Sequence, residues 1–182
     1  VYLPHKQRYG EVDTTPFGLT KAQEVRRFHQ SFPEYSVTPL VELKELAKEV
    51  GVKGIYVKDE SYRFGLNAFK VLGGSYAIAR EIGRLLGIDE DQLTLHRLLE
   101  SDVKERLGQI TFVTATDGNH GRGVAWTAQR LGHKAVVFMP KGTAVERLEN
   151  IRKLGADASI TDVNYDDSVR LARQYAEAHQ GI

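Results

Sequence analysis

The sequence predicts an α/β fold built on a parallel sheet, and three observations carry that reading. From Gln109 onward, apolar β-rich runs alternate with helical periodicity: strand 109–115, helix 119–131, strand 134–139, helix 143–154, strand 157–161 and helix 166–179. Two junctions, one after Lys58 and one after Ala115, have the order strand, tight loop, helix. With 41% hydrophobic and 27% charged residues, the 182-residue chain can bury one full core or two smaller lobes. Alternation of this kind implies right-handed crossovers between parallel strands.

Taken in order, residues 1–18 carry proline- and glycine-bearing turns without periodicity and predict an irregular arm. Thr20 to His29 is a short charged helix. At Thr38-Pro39 the residue types suit a cap followed by the first helical position, so a helix is expected to start there. Leu40, Leu43, Leu46 and Val50 would form its apolar face, and Gly51 would end it. Gly54 to Lys58 reads as a strand. Ala68 to Leu86 is the next helix, with Asn67 as its expected N-cap. Residues 87–108 are polar and punctuated by leucines, which predicts a helical insertion packed on the second lobe without chemistry of its own. Trp126 is expected in the core.

Composition excludes several function classes. There are 25 basic and 24 acidic residues and a net charge of +1, so the totals predict neither a nucleic-acid partner nor a membrane surface. No run approaches the roughly 18 apolar residues of a spanning helix, and the first residues lack a basic and then apolar leader, which reads as cytoplasmic. The absence of cysteine removes disulfides and thiol nucleophiles. His5, His29, His96, His120, His133 and His179 show no metal-ligand spacing, so no metal site is expected. The glycines of Gly118-Asn119-His120-Gly121-Arg122-Gly123 run in the reverse of the dinucleotide-binding order.

Two motifs carry chemistry. Asn67-Ala68-Phe69-Lys70 places a lysine in a first helical turn, where free N–H groups and the positive end of the helix dipole disfavour an ammonium. A neutral amine there can attack an aldehyde. Taken alone, Lys70 reads more readily as a solvated surface charge. The second motif, Thr116-Asp117-Gly118-Asn119-His120-Gly121, opens a helix at the carboxyl edge of a strand, where α/β proteins hold small anions. Taken alone, Asp117 reads more readily as a helix N-cap.

Together, Arg63-Phe64-Gly65-Leu66-Asn67-Ala68-Phe69-Lys70, the following Gly73-Gly74, and Asp117-Gly118-Asn119-His120-Gly121 resemble the fold-type II pyridoxal-phosphate enzymes. Within them the pattern is similar to the diaminopropionate ammonia-lyases, with Asp117 where most relatives carry Ser or Thr. The resemblance runs from about Tyr35 to the last residue. It implies two lobes, each with a mainly parallel sheet flanked by helices: residues 1–79 as the start of the large lobe and 80–182 as the small lobe, with the C-terminal part of the large lobe absent. It implies pyridoxal 5'-phosphate held by Lys70 as a Schiff base, a small amino-acid substrate and a homodimer. The reaction implied is α,β-elimination of 2,3-diaminopropionate to pyruvate and ammonia, with Lys70 as base for the L isomer and Asp117 for the D isomer. Asn119 and Phe69 would contact the cofactor; Thr116, Asp117, Gly118 and His120 would contact the substrate. The relatives' glycine-rich phosphate loop and pyridine-nitrogen partner have no counterpart here. A threonine or serine dehydratase of the same fold, or a non-catalytic truncated module, are the alternatives.

Overall fold

The computed structural model describes residues 13–182. Most of the expected N-terminal arm lies outside the described residues; its last part is a single 3-10 turn at Thr15–Phe17. Helix α1 (Leu19–Gln30) buries Phe28 and His29. Strand β1 (Leu40–Glu42) then replaces the helix expected from Thr38. Pro39 starts no helix because its carbonyl accepts the Asp59 N–H at 2.9 Å, which commits the segment to pairing. Strand β2 (Tyr56–Lys58) lies antiparallel to β1 in the register Val41 to Val57. Between them, the shorter helix α2 (Lys44–Val50) ends as expected at Gly51, in the left-handed region at φ 74°.

The segment before Lys70 is not a simple loop. A 3-10 stretch, Glu60–Gly65, is capped by the Asp59 carboxylate, which accepts the Ser61 N–H. Phe64, Gly65 and Asn67 then all take positive φ. For Phe64 that conformation costs energy, and packing offsets the cost: the ring is buried against Phe32, Tyr35 and Trp126, with centroids 5.7, 6.3 and 5.2 Å away. Arg63 is also buried. Its guanidinium donates to Glu60, to the Thr38 hydroxyl and to the Ser36 carbonyl, and this bonding holds the Glu60 carboxyl below its usual range. Helix α3 (Lys70–Leu86) therefore starts from a fixed base.

The N-cap of α3 is Phe69, with no side-chain cap bond, and Asn67 is not the cap that its residue type suggested. A φ of 54° at Asn67 points the chain away from capping geometry, and Lys70 becomes the first helical residue. The expected lobe boundary at Ala79 falls inside α3, which runs unbroken past it. The insertion consists of a 3-10 turn at Glu90–Gln92, helix α4 (Leu95–Leu98) and helix α5 (Ser101–Leu107). It buries Leu93, Leu95, Leu98 and Val103. It leans on α1 and α3: the Leu95 N–H donates to Ser31 Oγ at 2.8 Å, and Glu90 receives Lys21, Tyr76 and Arg80.

The remaining elements match the expected alternation closely: β3 (Thr111–Ala115), α6 (Asn119–Leu131), β4 (Lys134–Met139), α7 (Val145–Arg152), β5 (Asp157–Ile160) and α8 (Tyr165–His179). The three strands form a parallel sheet in the order β3-β4-β5. The first sheet, β1-β2, is an antiparallel pair among the described residues. One core joins the two parts of the chain: Phe32, Phe64, Val71, Ile82, Trp126, Val137 and Ile151 belong to it, and Trp126 is buried as expected.

Helices α3 and α6 pack backbone against backbone in that core. A Cβ placed on Gly123 would meet the Val71 Cα at 2.9 Å and the Val71 nitrogen at 3.1 Å, so only glycine lets the two backbones approach this far. The crossing sits one residue past Lys70 and four past Asn119. It brings the two chemical motifs to one place.

Candidate active site

A cleft of about 610 Å³ is lined by Lys70, Thr116, Asp117, Gly118, Asn119, His120, Arg122, Arg147, Asn150 and Tyr165. Of the residues picked out by sequence, all but Phe69 line it. Phe69 stands beside the cleft, 55% exposed, with its ring centroid 5.5 Å from Lys70 Nζ. Arg122, Arg147, Asn150 and Tyr165 were not anticipated. The last three come from α7 and from the first residue of α8, far along the chain. Only Arg122 sits inside a recognised motif, and no spacing rule separates it from an ordinary helical arginine.

The Thr116–Asn119 loop is built from within. Thr116 is buried, and its Oγ1 accepts the Gly118 N–H at 3.1 Å and the Gly121 N–H at 3.3 Å. The hydroxyl keeps its own hydrogen as a donor. A Cβ on Gly121 would lie 2.3 Å from Thr116 Cγ2, so that glycine is what allows the threonine to fold under the helix start.

Asp117 does not cap α6. The cap position is Gly118, with no side-chain cap bond, and the Asp117 carboxylate lies 75% exposed. Its nearest cation among the described residues is Arg147, at 3.9 Å from Oδ2, beyond hydrogen-bond range. No hydrogen bond among the described residues engages the Asp117 carboxylate oxygens. The Nε of Arg122 is buried without a partner among the described residues, which leaves a donor on a cleft-lining residue unmatched.

His120 is held below the usual imidazole range, first by burial and then by the positive charge of Lys70. Its ring is consequently neutral at pH 7. The cleft thus gathers an amine, a carboxylate, a neutral imidazole, two amides and two guanidinium groups around the start of a 13-residue helix. The amine at Lys70 and the amide at Asn119 suit an aldehyde-bearing, hydroxylated aromatic cofactor: the first can bond its carbonyl carbon and the second can hydrogen-bond its ring oxygen. No group of three or more potential metal-ligating side chains occurs among the described residues, and no described helix is long and apolar enough to cross a membrane.

Comparison with known proteins agrees with this donor set. The diaminopropionate ammonia-lyase of Salmonella typhimurium is 54% identical over 154 residues, covering 85% of this chain and 38% of its own length. The Escherichia coli enzyme of the same name is 52% identical over 169 residues, covering 92% and 41%. The present chain thus spans about 40% of the length of the curated relatives it matches. The crystal structure of the E. coli enzyme in complex with D-serine superposes with a TM-score of 0.84 at 51% identity, over 91% of this chain and 41% of that one. A processed threonine deaminase from Solanum lycopersicum shares the fold at a TM-score of 0.60 and 23% identity, over 96% of this chain and 41% of that one. The family model described as pyridoxal-phosphate dependent enzyme matches residues 32–182, and with Lys70 and Asn119 set in one cleft the chain belongs to that family.

Proposed function

We propose that this chain carries the catalytic lysine and loop of a pyridoxal-phosphate dependent ammonia-lyase that eliminates ammonia from both D- and L-2,3-diaminopropionate. The observation that carries the reading is the presence of two different bases, Lys70 and an uncapped Asp117, on the wall of one cleft. The similarity to ammonia-lyases at 52% and 54% identity supports it.

When bound, pyridoxal phosphate supplies an electron-poor ring that accepts the electron pair left by the breaking Cα–H bond. The protein does the rest. Lys70 Nζ holds the cofactor and, once displaced by the substrate amine, takes the Cα proton of the L isomer. An Asp117 carboxylate oxygen takes the same proton from the D isomer. A hydroxyl at that position would need activation, whereas a carboxylate is a base at neutral pH. The Thr116 hydroxyl, the N–H groups of the loop beyond Gly118 and the neutral His120 ring orient the substrate carboxylate, and the Asn119 amide hydrogen-bonds the cofactor ring oxygen. Phe69, outside the cleft, packs against the Lys70 side chain at its mouth. Loss of the β-amine releases one ammonia, and hydrolysis of the released enamine gives pyruvate and a second. The lobe division near residue 79 and a homodimer belong to the same reading. A dehydratase acting on serine or threonine is disfavoured by the carboxylate of Asp117.

Turnover of D- and L-diaminopropionate, serine and threonine by the parent, Lys70→Ala and Asp117→Asn holoenzymes tests this. The expected result is that K70A loses both diaminopropionate isomers, while D117N loses the D isomer by about 10²-fold or more and keeps the L isomer. D-isomer turnover left intact in D117N, or serine as the preferred substrate, would overturn the reading.

A further inference from the structure

We propose that Arg147 is the positioning residue that holds Asp117 in line with the D isomer, an inference that rests on Asp117 being the base for that isomer. Arg147 lies on α7, thirty residues along the chain. Its Nη1 donates to the Asp117 carbonyl oxygen at 3.0 Å. Its Cδ lies 3.6 Å, and its Nη1 3.8 Å, from where a Cβ on Gly118 would sit, so the side chain lies along the Asp117–Gly118 peptide. From the inner side, the N–H of that same peptide is tied to Thr116 Oγ1 at 3.1 Å. One peptide unit is thus held by its carbonyl from α7 and by its N–H from the loop core.

This clamp sets the direction of the Asp117 Cα–Cβ bond without consuming the carboxylate. An exposed aspartate has three staggered rotamers and no packing to choose among them. Fixing its backbone is then what puts the carboxylate in a usable place. Arg147 bonds the carbonyl, while 3.9 Å separates it from Oδ2, so the oxygens stay open to accept a proton. The arrangement orients the base and leaves it a base. Arg147 makes no hydrogen bond to Lys70 or to α3 among the described residues, so the clamp acts on Asp117 and not on the base for the L isomer. The support should therefore act on one stereoisomer only.

The test is steady-state kinetics of Arg147→Gln and Arg147→Lys holoenzymes with each isomer, beside D117N. A displaced base can cost up to about 10²-fold in rate. The expected result in R147Q is a fall of roughly 10- to 100-fold in the ratio of D-isomer to L-isomer kcat, with the two KM values changed alike. R147K keeps a donor of the same charge and recovers part of the D-isomer kcat. Adding R147Q to D117N costs nothing further with the D isomer. Equal losses on both isomers, a change confined to KM, or additive losses in the double variant would overturn the positioning role. If D117N itself keeps D-isomer turnover, the base assignment fails first. If D117N loses it while R147Q and R147K do not, only the positioning role fails.

Discussion

In β4, Ala135, Val136, Val137 and Met139 are buried, whereas in β1 and β2, Leu40, Val41, Tyr56 and Val57 stand between 40% and 66% exposed. Both regions are strands of β-branched, aliphatic and aromatic residues. What separates them is coverage. Strand β4 lies at the centre of a three-stranded sheet, with α6 and α8 packed on it. The β1–β2 pair has no third strand among the described residues, and Leu46 and Val50 of α2 are exposed as well. Apolar character prepares a surface for burial, and the neighbours along the chain decide whether burial occurs there. The parallel region should consequently hold most of the folding energy.

The sharpest way to break this contrast is to truncate matched aromatics in the two sheets. Phe112, on β3, is 3% exposed and packs edge-on against His133 with centroids 5.7 Å apart. Phe112→Ala should destabilise by about 3–5 kcal/mol in chemical denaturation. A loss near that of a surface site would mean the parallel sheet is not the stability core. Next comes the junction between the regions. Gly123→Ala forces a Cβ into the Val71 backbone and should cost about 1–3 kcal/mol, with Lys70 displaced from the loop and turnover reduced alongside stability.

A smaller effect follows from acid. His29, His120 and His133 are all pushed below the usual imidazole range, in each case first by burial. The unfolded chain takes up protons near pH 6.5, the folded chain only at lower pH, so the unfolded state binds more protons in that window. Stability is therefore full above about pH 6.5 and falls as the pH drops through the folded values. Thermal melts between pH 7.5 and 5 should show a falling Tm, and His133→Gln should flatten the slope. A Tm that rises on acidification would contradict the buried, neutral state of these rings. The smallest effect is expected in the open sheet: Tyr56→Ser or Leu46→Ser should change stability by no more than about 0.5 kcal/mol.

The same contrast explains what could be read in advance. The parallel region was legible nearly residue by residue, because each strand and helix buries its pattern against elements that the periodicity itself predicts; α6 and β4 match their expected bounds at both ends. Thr38-Pro39 was misleading because cap and proline signals are local, while β1 is fixed by a partner eighteen residues away. Asn67 failed as a cap for a related reason: three positive-φ residues, held by the burial of Phe64, override its preference. In the site, Lys70 and the Thr116–His120 loop were visible because their chemistry is contiguous in sequence. Arg147, Asn150 and Tyr165 reach the cleft only through the crossovers that follow β4 and β5, and nothing local marks them.

The approach of Gly123 to Val71 also has a dynamic meaning. Two backbones in direct contact leave no side chain between them to change rotamer, and a close-packed interior resists compression. The backbones of α3 and α6 should therefore move together, which keeps the Lys70 and Asn119 backbones at a steady spacing. The other wall, α7 and the start of α8, is joined to the loop by a side chain, Arg147, rather than by backbone contact. Relaxation measurements should therefore find the backbone around Val71 and Gly123 quiet on the microsecond to millisecond timescale.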